Sequence, residues 1–254
     1  MELIKPSPNS KYFIREDLFK GLTPEDSYWL GVIMADGCIR VDGNTKKTGF
    51  NYKSYKITLA WQSKDLHHLK KFRDYLGDSN RSIVANHSHN SQCYQVNVQG
   101  TWLRERVKRY GIIPRKTSEF CEDYTPPIYV NDFIAGWFDG DGYINVGKED
   151  QAFSGCALNV TGEHKSLEWL KDLIIQCGYC GTIRVKPIKD KNASRLHING
   201  RVQCQQFYRL FYNSQLCLPR KWEKFKKIDY DTVRSLSRNR RNGDVQSKSI
   251  RRSL

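Results

Sequence analysis

Two apolar runs, each closed by an Asp-Gly pair, are the clearest feature of the hydrophobic pattern along this chain. They cover residues 29–37 and 134–142, and in both of them small residues recur at a spacing of four. Small residues at that spacing share one face of a predicted helix, and such a face lets two helix backbones approach closely. They are Gly31, Ala35, Gly136 and Gly140. We therefore expect the two helices to pack through these faces, with Asp36 and Asp141 side by side at their ends.

The same series of elements is predicted after each run. Thr23 and Pro24 are typical of a helix start, and the first run ends that helix at Asp36. The pattern then predicts strands over 38–41 and 55–61, a helix over 63–76, strands over 83–85 and 94–98, and a helix over 101–110. After a second motif helix over 131–141 it predicts strands over 143–146 and 156–161, a helix over 165–177, strands over 182–188 and 195–199, and a helix over 201–212. The glycines expected to end helices as C′ residues are Gly37, Gly77, Gly142 and Gly178.

The spacing between the copies indicates an internal repeat. Asp36 and Asp141 are 141 − 36 = 105 residues apart, and Pro-Arg-Lys recurs at 114–116 and 219–221 with the same spacing. The predicted fold class is α+β: two pseudo-symmetric αββαββα halves whose antiparallel sheets form a saddle, with the motif helices packed at the centre. The predicted parts are an N-terminal leader (1–22), a first half (23–121), a linker (122–130), a second half (131–230) and a basic flexible tail (231–254).

Composition narrows the possible partners. Lysine and arginine number 42 against 27 acidic residues, which gives a net charge of +15 and a pI near 9.4. A chain this basic is expected to bind an anionic partner, and nucleic acid is the first candidate. No apolar stretch of the chain is long enough to span a membrane, and its start has no features of a targeting segment. We expect an intracellular protein, in the cytoplasm of a bacterium or phage host or in an organelle matrix.

Two other kinds of metal site are not favoured by the sequence. Cys177 and Cys180 form a lone CxxC pair without a second pair at zinc spacing, which favours reduced thiols over structural zinc. Residues 139–144 resemble the core of a calcium loop. That loop would need an acid where Trp137 stands and a glutamate where Lys148 stands, so we exclude it.

The paired acids suit phosphodiester hydrolysis. Two adjacent carboxylates repel each other, and a proton or a metal ion has to relieve that repulsion. Asp36 and Asp141 at a pseudo-twofold axis can hold two or more Mg²⁺ ions. Such ions activate a water molecule and stabilise the leaving oxygen. Mg²⁺ also prefers few protein carboxylates, with phosphate oxygens and water as its other ligands.

These residues carry a resemblance to a known family. The two runs resemble the paired LAGLIDADG motifs of the single-chain LAGLIDADG homing endonucleases, over roughly residues 24–228. In the first copy Met34 replaces the first motif acid, whereas the functional acid is retained as Asp36. The resemblance implies a monomeric endonuclease that cuts double-stranded DNA at a long asymmetric site and leaves short 3′ overhangs. We expect it to be intron-encoded or encoded by a stand-alone gene. It implies Mg²⁺ as the cofactor, Mn²⁺ as a substitute, and Ca²⁺ as an ion that binds without cleavage.

The resemblance also assigns further site residues. It implies metal ligation by the main-chain carbonyls of Ala35 and Gly140, and catalytic roles for Gln62, Lys116 and Lys221. The two lysines would offset charge on the phosphate or orient water, and plain phosphate anchoring is the alternative. In the second half the residues at 162–164 depart from the Gln62 pattern, so we expect the two centres to differ in rate.

Strand alternation predicts which side chains face DNA. A two-stranded ribbon fits the major groove, where arginine suits guanine and asparagine or glutamine suits adenine. In the first half the predicted DNA-facing residues are Arg40, Lys56, Thr58, Gln95 and Asn97. In the second half they are Asn145, Asn159, Arg184, Lys186, Arg195 and His197.

Two other functions stay open from the sequence. A protein of the same fold can act as an RNA maturase that binds its host intron, or as a DNA-binding regulator without cleavage. Loss of a motif acid would favour those functions, whereas both Asp36 and Asp141 are present here. An unrelated basic structural protein is disfavoured, because the Asp-Gly and Pro-Arg-Lys elements are both repeated.

Overall fold

The described part of the protein consists of two four-stranded antiparallel sheets, each carrying helices on one face, and a short two-stranded sheet near the start of the chain. In the computed structural model the described residues are 2–5, 10–42, 54–88, 91–114, 120, 124–146, 155–212 and 216–228. The first-half elements are β1 (Leu3–Ile4), β2 (Ile14–Arg15), α1 (Pro24–Asp36), β3 (Cys38–Asp42), β4 (Ser54–Gln62), α2 (Leu66–Tyr75), β5 (Val84–Ser88), β6 (Ser91–Gly100) and α3 (Leu103–Lys108). The second-half elements are α4 (Val130–Asp141), β7 (Gly142–Val146), β8 (Cys156–Gly162), α5 (His164–Gln176), β9 (Ile183–Pro187), β10 (Ser194–Asn199), α6 (Arg201–Phe211) and α7 (Pro219–Lys226). The strand orders of the two four-stranded sheets are β3-β4-β6-β5 in the first half and β7-β8-β10-β9 in the second.

The predicted α+β class and the repeated order of elements are confirmed. Two differences from the sequence analysis matter. A short helix, α7, follows Leu218, where the sequence analysis predicts no element. The leader is also part of the first half, because Leu18 and Phe19 are fully buried in the core and the amide of Arg15 donates to the carbonyl of Leu76. The predicted tail over 231–254 lies outside the described residues.

Helices α1 and α4 pack against each other more extensively than any other pair of described helices. α1 begins as predicted, with the Thr23 side chain accepting from the amide of Asp26 at 3.1 Å. A methyl group on Gly31 would lie well inside van der Waals contact of the Phe133 carbonyl oxygen, and one on Gly136 would meet the Tyr28 carbonyl oxygen in the same way. Each helix thus presses a glycine against the backbone of the other.

The glycines that end the motif helices do so for a different reason than predicted. Gly77 and Gly178 have the left-handed backbone of a C′ residue, with φ of +99° and +89°. Gly37 and Gly142 instead have extended backbones, with φ of −70° and −79°. Glycine is required there by crowding, because a side chain at either position would press on the carbonyl of Ile33 or of Phe138. The chain therefore passes directly from each motif helix into the first strand of a sheet.

Candidate active site and nucleic-acid interface

Asp36 ends α1 with an exposed side chain. Its Oδ2 accepts a hydrogen bond from the indole Nε1 of Trp61 at 2.7 Å. Trp61 lies near the end of β4 and is 7% exposed. Its ring packs on that of the buried His68, with centroids 5.2 Å apart. A side chain that the alternation assigns to the core therefore also holds the first motif acid.

Asp141 ends α4 in the same way, and its side chain is also exposed. It borders a cavity of about 40 Å³ that is shared with the end of α1 and the start of α5. Gly162 and Glu163 line this cavity as well. The Glu163 carboxylate accepts from the amide of Ser166 at 2.9 Å and so caps α5.

Lys221 is buried beneath the end of α4, where only 3% of it is exposed. Its ammonium donates to the main-chain carbonyls of Phe138 and Asp139, at 2.6 and 2.7 Å. Burial lowers the pKa of Lys221 to about 8, while the carboxylates of Asp139, Asp36 and Asp141 act in the opposite direction. A buried ammonium that is bonded to the protein backbone does not favour plain phosphate anchoring by Lys221, which is the alternative role weighed from the sequence.

Asp139, the first acid of the second motif, is the centre of a buried polar network. Its carboxylate accepts from the Tyr28 hydroxyl at 2.7 Å, from the Tyr212 hydroxyl, and from the amide of Leu218 at 2.7 Å. Burial raises its pKa, and the nearby Lys221 opposes that rise. The Tyr28 hydroxyl also bonds to Nε2 of His68 at 2.6 Å. Since Tyr28 gives its one proton to Asp139, His68 is the donor in that bond.

His68 is neutral because it is buried. Burial lowers the pKa of His68 to about 3, and the nearby Lys71 acts in the same direction. A neutral imidazole that is protonated on Nε2 suits a site with a phenol on one side and an indole on the other. The contacts run from Asp139 through Tyr28 and His68 to Trp61, and so connect the surroundings of the two motif acids.

The other predicted catalytic and ligand residues are placed as follows. Gln62 ends β4 with an exposed side chain, directly after Trp61. Ala35 and Gly140 lie in the last turns of α1 and α4, and a methyl group on Gly140 would collide with Cβ of Ala35. Lys116 lies outside the described residues. The four small residues named from the sequence therefore all lie at or beside the contact between the motif helices.

The six DNA-facing residues predicted in the second half lie around one groove of about 670 Å³ on the outer face of its sheet. His197 is paired across the sheet with both Asn159 and Arg184, and Arg195 with Lys186. The Nδ1 atom of His197 donates to Oδ1 of Asn159 at 2.8 Å. Burial lowers the pKa of His197, and Arg195, Arg184 and Lys186 lower it further. The remaining member of the six is Asn145, on the neighbouring strand β7.

The first-half residues also share one face of a sheet. Arg40 is directly opposite Lys56 across β3 and β4. The Thr58 hydroxyl donates to Oδ1 of Asn97 at 2.6 Å, which leaves the amide protons of Asn97 for another partner. Gln95 lies two residues before Asn97 on β6 and therefore faces the same way. Alternate residues such as Ile57 and Val96 are fully buried, so this face points away from the core.

Comparisons with known proteins give the fold a name. Neither a protein-family model nor a curated protein matches the chain. Among solved structures, the I-SmaMI LAGLIDADG homing endonuclease bound to cleaved DNA has a TM-score of 0.55 and 14% identity, over 91% of this chain and 95% of that chain. A structure of mesophilic variants of the homing endonuclease I-DmoI has a TM-score of 0.51 and 17% identity, over 77% of this chain and 99% of that chain. At such low identity the likeness shows the fold alone.

This chain has the LAGLIDADG homing endonuclease fold. The resemblance drawn from the two motifs is thus confirmed at the level of the fold. Within the part of the chain that is described, no helix is long and apolar enough to cross a membrane. The same part holds no group of three or more His, Cys, Asp or Glu side chains suited to a metal ion. Any metal ion bound by the two motif acids would therefore need main-chain, water or substrate oxygens as further ligands.

Sequence reasoning did not reveal the polar contacts of three residues near the LAGLIDADG helices. Trp61 is buried, as the alternation along β4 indicates, but its hydrogen bond to Asp36 is not evident from that pattern. The contacts of Asp139 and Tyr28 with each other are likewise visible only in the structure. One signal was available for Asp139, because it is the acid that Met34 replaces in the first copy. An acid retained in only one half has a role that the halves do not share.

Proposed function

We propose that this chain is a site-specific endonuclease that hydrolyses both strands of a DNA duplex with a divalent metal ion. The observation that carries the proposal is the packing of α1 against α4, which leads the exposed carboxylates of Asp36 and Asp141 to one end of the helix pair. Both carboxylates lie near enough to Lys221 to act on its pKa. The solved structures of the same fold are described as homing endonucleases, one of them bound to cleaved DNA.

The donor set at this end of the helices fits a hard cation. It contains two carboxylates, together with the main-chain carbonyls of Ala35 and Gly140 in the last turns of their helices. The negative ends of two helix dipoles also favour a cation there. Mg²⁺, or Mn²⁺ in its place, takes oxygen ligands of this kind, activates water and stabilises a leaving oxygen. We expect Ca²⁺ to bind without supporting cleavage.

The protein residues have separate tasks in this proposal. Asp36 and Asp141 hold the metal, and Trp61 fixes the Asp36 carboxylate through its hydrogen bond. Lys221 keeps the last turn of α4 in place and adds a positive charge beneath both acids. Gln62 is exposed at the end of β4, where its amide can hold a water molecule. By the repeat of Pro-Arg-Lys, Lys116 offsets charge on the phosphate or orients water in the first half.

DNA recognition falls to the outer faces of the two sheets. The cross-strand pairs there offer guanidinium, amide and imidazole groups, which suit base edges in the major groove. Many of the other lysines and arginines would contact only phosphate. With one sheet in each half, a monomer contacts a long asymmetric site, and the two acids cut across the minor groove to leave short 3′ overhangs.

A cleavage assay tests the proposal. A plasmid pool with randomised inserts is incubated with the protein in Mg²⁺, Ca²⁺ or EDTA. We expect discrete double-strand cuts in Mg²⁺ alone, which Asp36→Asn and Asp141→Asn both abolish while DNA binding is largely kept. The control is Asp172→Asn, an exposed acid on α5, which keeps full activity.

Two results would contradict the proposal. Full cleavage by either motif variant in Mg²⁺ would show that Asp36 and Asp141 do not form the metal site. No cutting, with salt-sensitive binding to structured RNA or to one duplex, would instead support an RNA maturase or a DNA-binding regulator.

A further inference from the structure

His197 lies between an amide and a guanidinium on the outer face of the second sheet. Its cross-strand partners are Asn159 on β8 and Arg184 on β9. Arg195 lies two residues earlier on β10 and pairs with Lys186, so both of them share this face. All five side chains line the groove of about 670 Å³. The imidazole is therefore one of the groups that a base edge in this groove would meet.

The hydrogen bond to Asn159 determines which ring nitrogen of His197 carries the proton. Nδ1 of His197 lies 2.8 Å from Oδ1 of Asn159. An amide oxygen can only accept a hydrogen bond, so Nδ1 is the donor. A neutral imidazole carries a single ring proton, and Nε2 therefore keeps a lone pair. The ring thus has a hydrogen-bond acceptor at Nε2.

The surroundings of His197 favour the neutral ring. Burial lowers the pKa of His197, and the positive charges of Arg195, Arg184 and Lys186 lower it further. Cations beside the ring repel a second proton and leave the lone pair of the neutral form undisturbed. At neutral pH one ring nitrogen is therefore a donor that is already bonded to Asn159, and the other is an acceptor.

A ring acceptor distinguishes bases by their amino groups. In the major groove the donors are N4–H₂ of cytosine and N6–H₂ of adenine, whereas guanine and thymine present acceptors there. Two acceptors that face each other are both left without a hydrogen bond, and this disfavours the wrong base. Arg184, Lys186 and Arg195 carry donors only, so they cannot make this contact with an amino group.

We propose that His197 is a specificity-determining residue, which accepts from the amino group of an adenine or a cytosine and rejects guanine and thymine at that position. Asn159 is a positioning residue for this contact, because its oxygen keeps the ring proton on Nδ1. The inference rests on the proposed function, since it takes the outer face of the sheet as the DNA-binding surface. Residue type alone does not give this preference, because an imidazole can either donate or accept.

Site selection tests the preference without any need for cleavage. A pool of randomised duplexes is bound in Ca²⁺ at pH 7.5, and the selected sequences are compared between wild type and variants. His197→Ala identifies the contacted base pair as the position whose preference disappears. We expect wild type to prefer adenine or cytosine there by about tenfold. A wild-type preference for guanine or thymine at this position, or no position that depends on His197, overturns the proposal.

Asn159→Leu tests the positioning role. Leucine has a similar size but accepts no hydrogen bond, so the ring proton becomes free to move to Nε2. We expect this variant to lose most of the preference for adenine or cytosine at the His197 position and to accept guanine and thymine as well. An unchanged preference at that position would show that Asn159 does not position the ring.

The matched control is Asn199→Leu. Asn199 is exposed two residues after His197 on β10, and its side chain forms no hydrogen bond with the described residues. We expect the preference at the His197 position to stay at its wild-type value. An equal effect of the two leucine variants contradicts the role of Asn159. Thermal unfolding identifies a general loss of structure, which would weaken binding to all sequences rather than change one position.

The position of the proton can be measured without DNA. The chain has six histidines, and the ¹⁵N spectrum of each ring distinguishes a protonated nitrogen from an unprotonated one. The His197 signals are those that His197→Ala removes. In the free protein at pH 7.5 we expect the proton on Nδ1, and in Asn159→Leu we expect it to be shared with Nε2. A proton on Nε2 in wild type overturns the proposal.

The two experiments together separate this inference from the proposed function. If wild type selects no duplex sequence, the proposed function fails and the base contact fails with it. If wild type selects a sequence that shows no preference for amino bases at the His197 position, only this inference fails. If the preference is found and no DNA is cut in Mg²⁺, the inference stands and the endonuclease activity fails.

Discussion

Arg220 on α7 forms an ion pair with Asp65 in the opposite half of the protein, with Nε of the arginine 2.9 Å from Oδ1 of the aspartate. The Asp65 side chain is 6% exposed and the Arg220 side chain 44%. This pair ties the halves together in addition to the contact between α1 and α4. It also gives a separate role to the arginine of the Pro-Arg-Lys repeat.

Loss of this pair is expected to destabilise the protein. Arg220→Met leaves the Asp65 carboxylate buried without its cation, which costs about 1–2 kcal/mol of unfolding free energy for a pair that is partly open to solvent. Urea unfolding measures the change. The control is Arg73→Met, since Arg73 pairs with the exposed Asp74 beside it on the same helix, and we expect less than about 0.5 kcal/mol there. Equal losses of unfolding free energy in the two variants would show that the ion pair between the halves does not add to the stability of the protein.

The contact between the motif helices predicts a large effect of one methyl group. Gly136→Ala forces Cβ into the carbonyl of Tyr28, and backbone cannot move away as a flexible side chain can. We expect a loss of about 3 kcal/mol or more of unfolding free energy. Gly162→Ala is the control, because its methyl would meet nothing closer than 3.4 Å. Similar stability of the two variants would contradict the close approach of α1 and α4.

The buried Lys221 predicts a pH dependence of stability. Its pKa is lowered from 10.5 to about 8 in the folded protein, and it returns near 10.4 on unfolding. Between pH 8 and pH 10 the unfolded chain therefore binds more protons than the folded protein, so the unfolding free energy rises with pH. We expect wild type to gain about 2 kcal/mol over this interval relative to Lys221→Met. The buried tyrosines are the same in wild type and in Lys221→Met, so they contribute alike to both pH profiles. Identical pH profiles of the unfolding free energy would contradict the lowered pKa of Lys221.

The basic face of the second sheet predicts the salt dependence of DNA binding. Arg184, Lys186 and Arg195 are exposed around the groove. Replacement of any one of them by alanine should lower the slope of log affinity against log salt by about 1 where it contacts phosphate. Where the side chain contacts a base, its replacement should instead reduce the discrimination between bases at that position by about 1–3 kcal/mol. Binding is measured in Ca²⁺, and the control is Lys165→Ala on α5. If the control changes the salt dependence equally, this face of the sheet is not the DNA-binding surface.

Much of the fold could be predicted from residue spacing. The four-residue spacing of small residues predicts the contact between α1 and α4, and period-two alternation predicts which side of each strand faces solvent. These are local rules, because the geometry of a helix or strand fixes the direction of each Cβ. The six second-half residues that surround one groove were selected by this rule alone.

The supporting residues of the site could not be predicted in this way. Alternation gives the direction of the Trp61 side chain, but it does not predict which group the N–H at the edge of its large ring contacts. Of the partners of Asp139, Tyr212 and Leu218 lie 73 and 79 residues later in the chain and Tyr28 lies 111 residues earlier, on segments that only the folded protein brings near. Lysine is normally exposed, so the burial of Lys221 runs against its residue type and becomes evident only from its contacts with the end of α4.

The contact between the two motif glycines and the opposing backbones is reciprocal, and this has a consequence for module exchange. Gly31 accommodates the backbone of the second half, and Gly136 that of the first. A chimaera that joins one half of this protein to half of another protein of the fold needs a glycine on both sides of the new junction. A half with alanine at either position would hold the two carboxylates farther apart, so compatibility between modules is determined by the absence of a side chain at these two positions rather than by the outer faces of the two sheets.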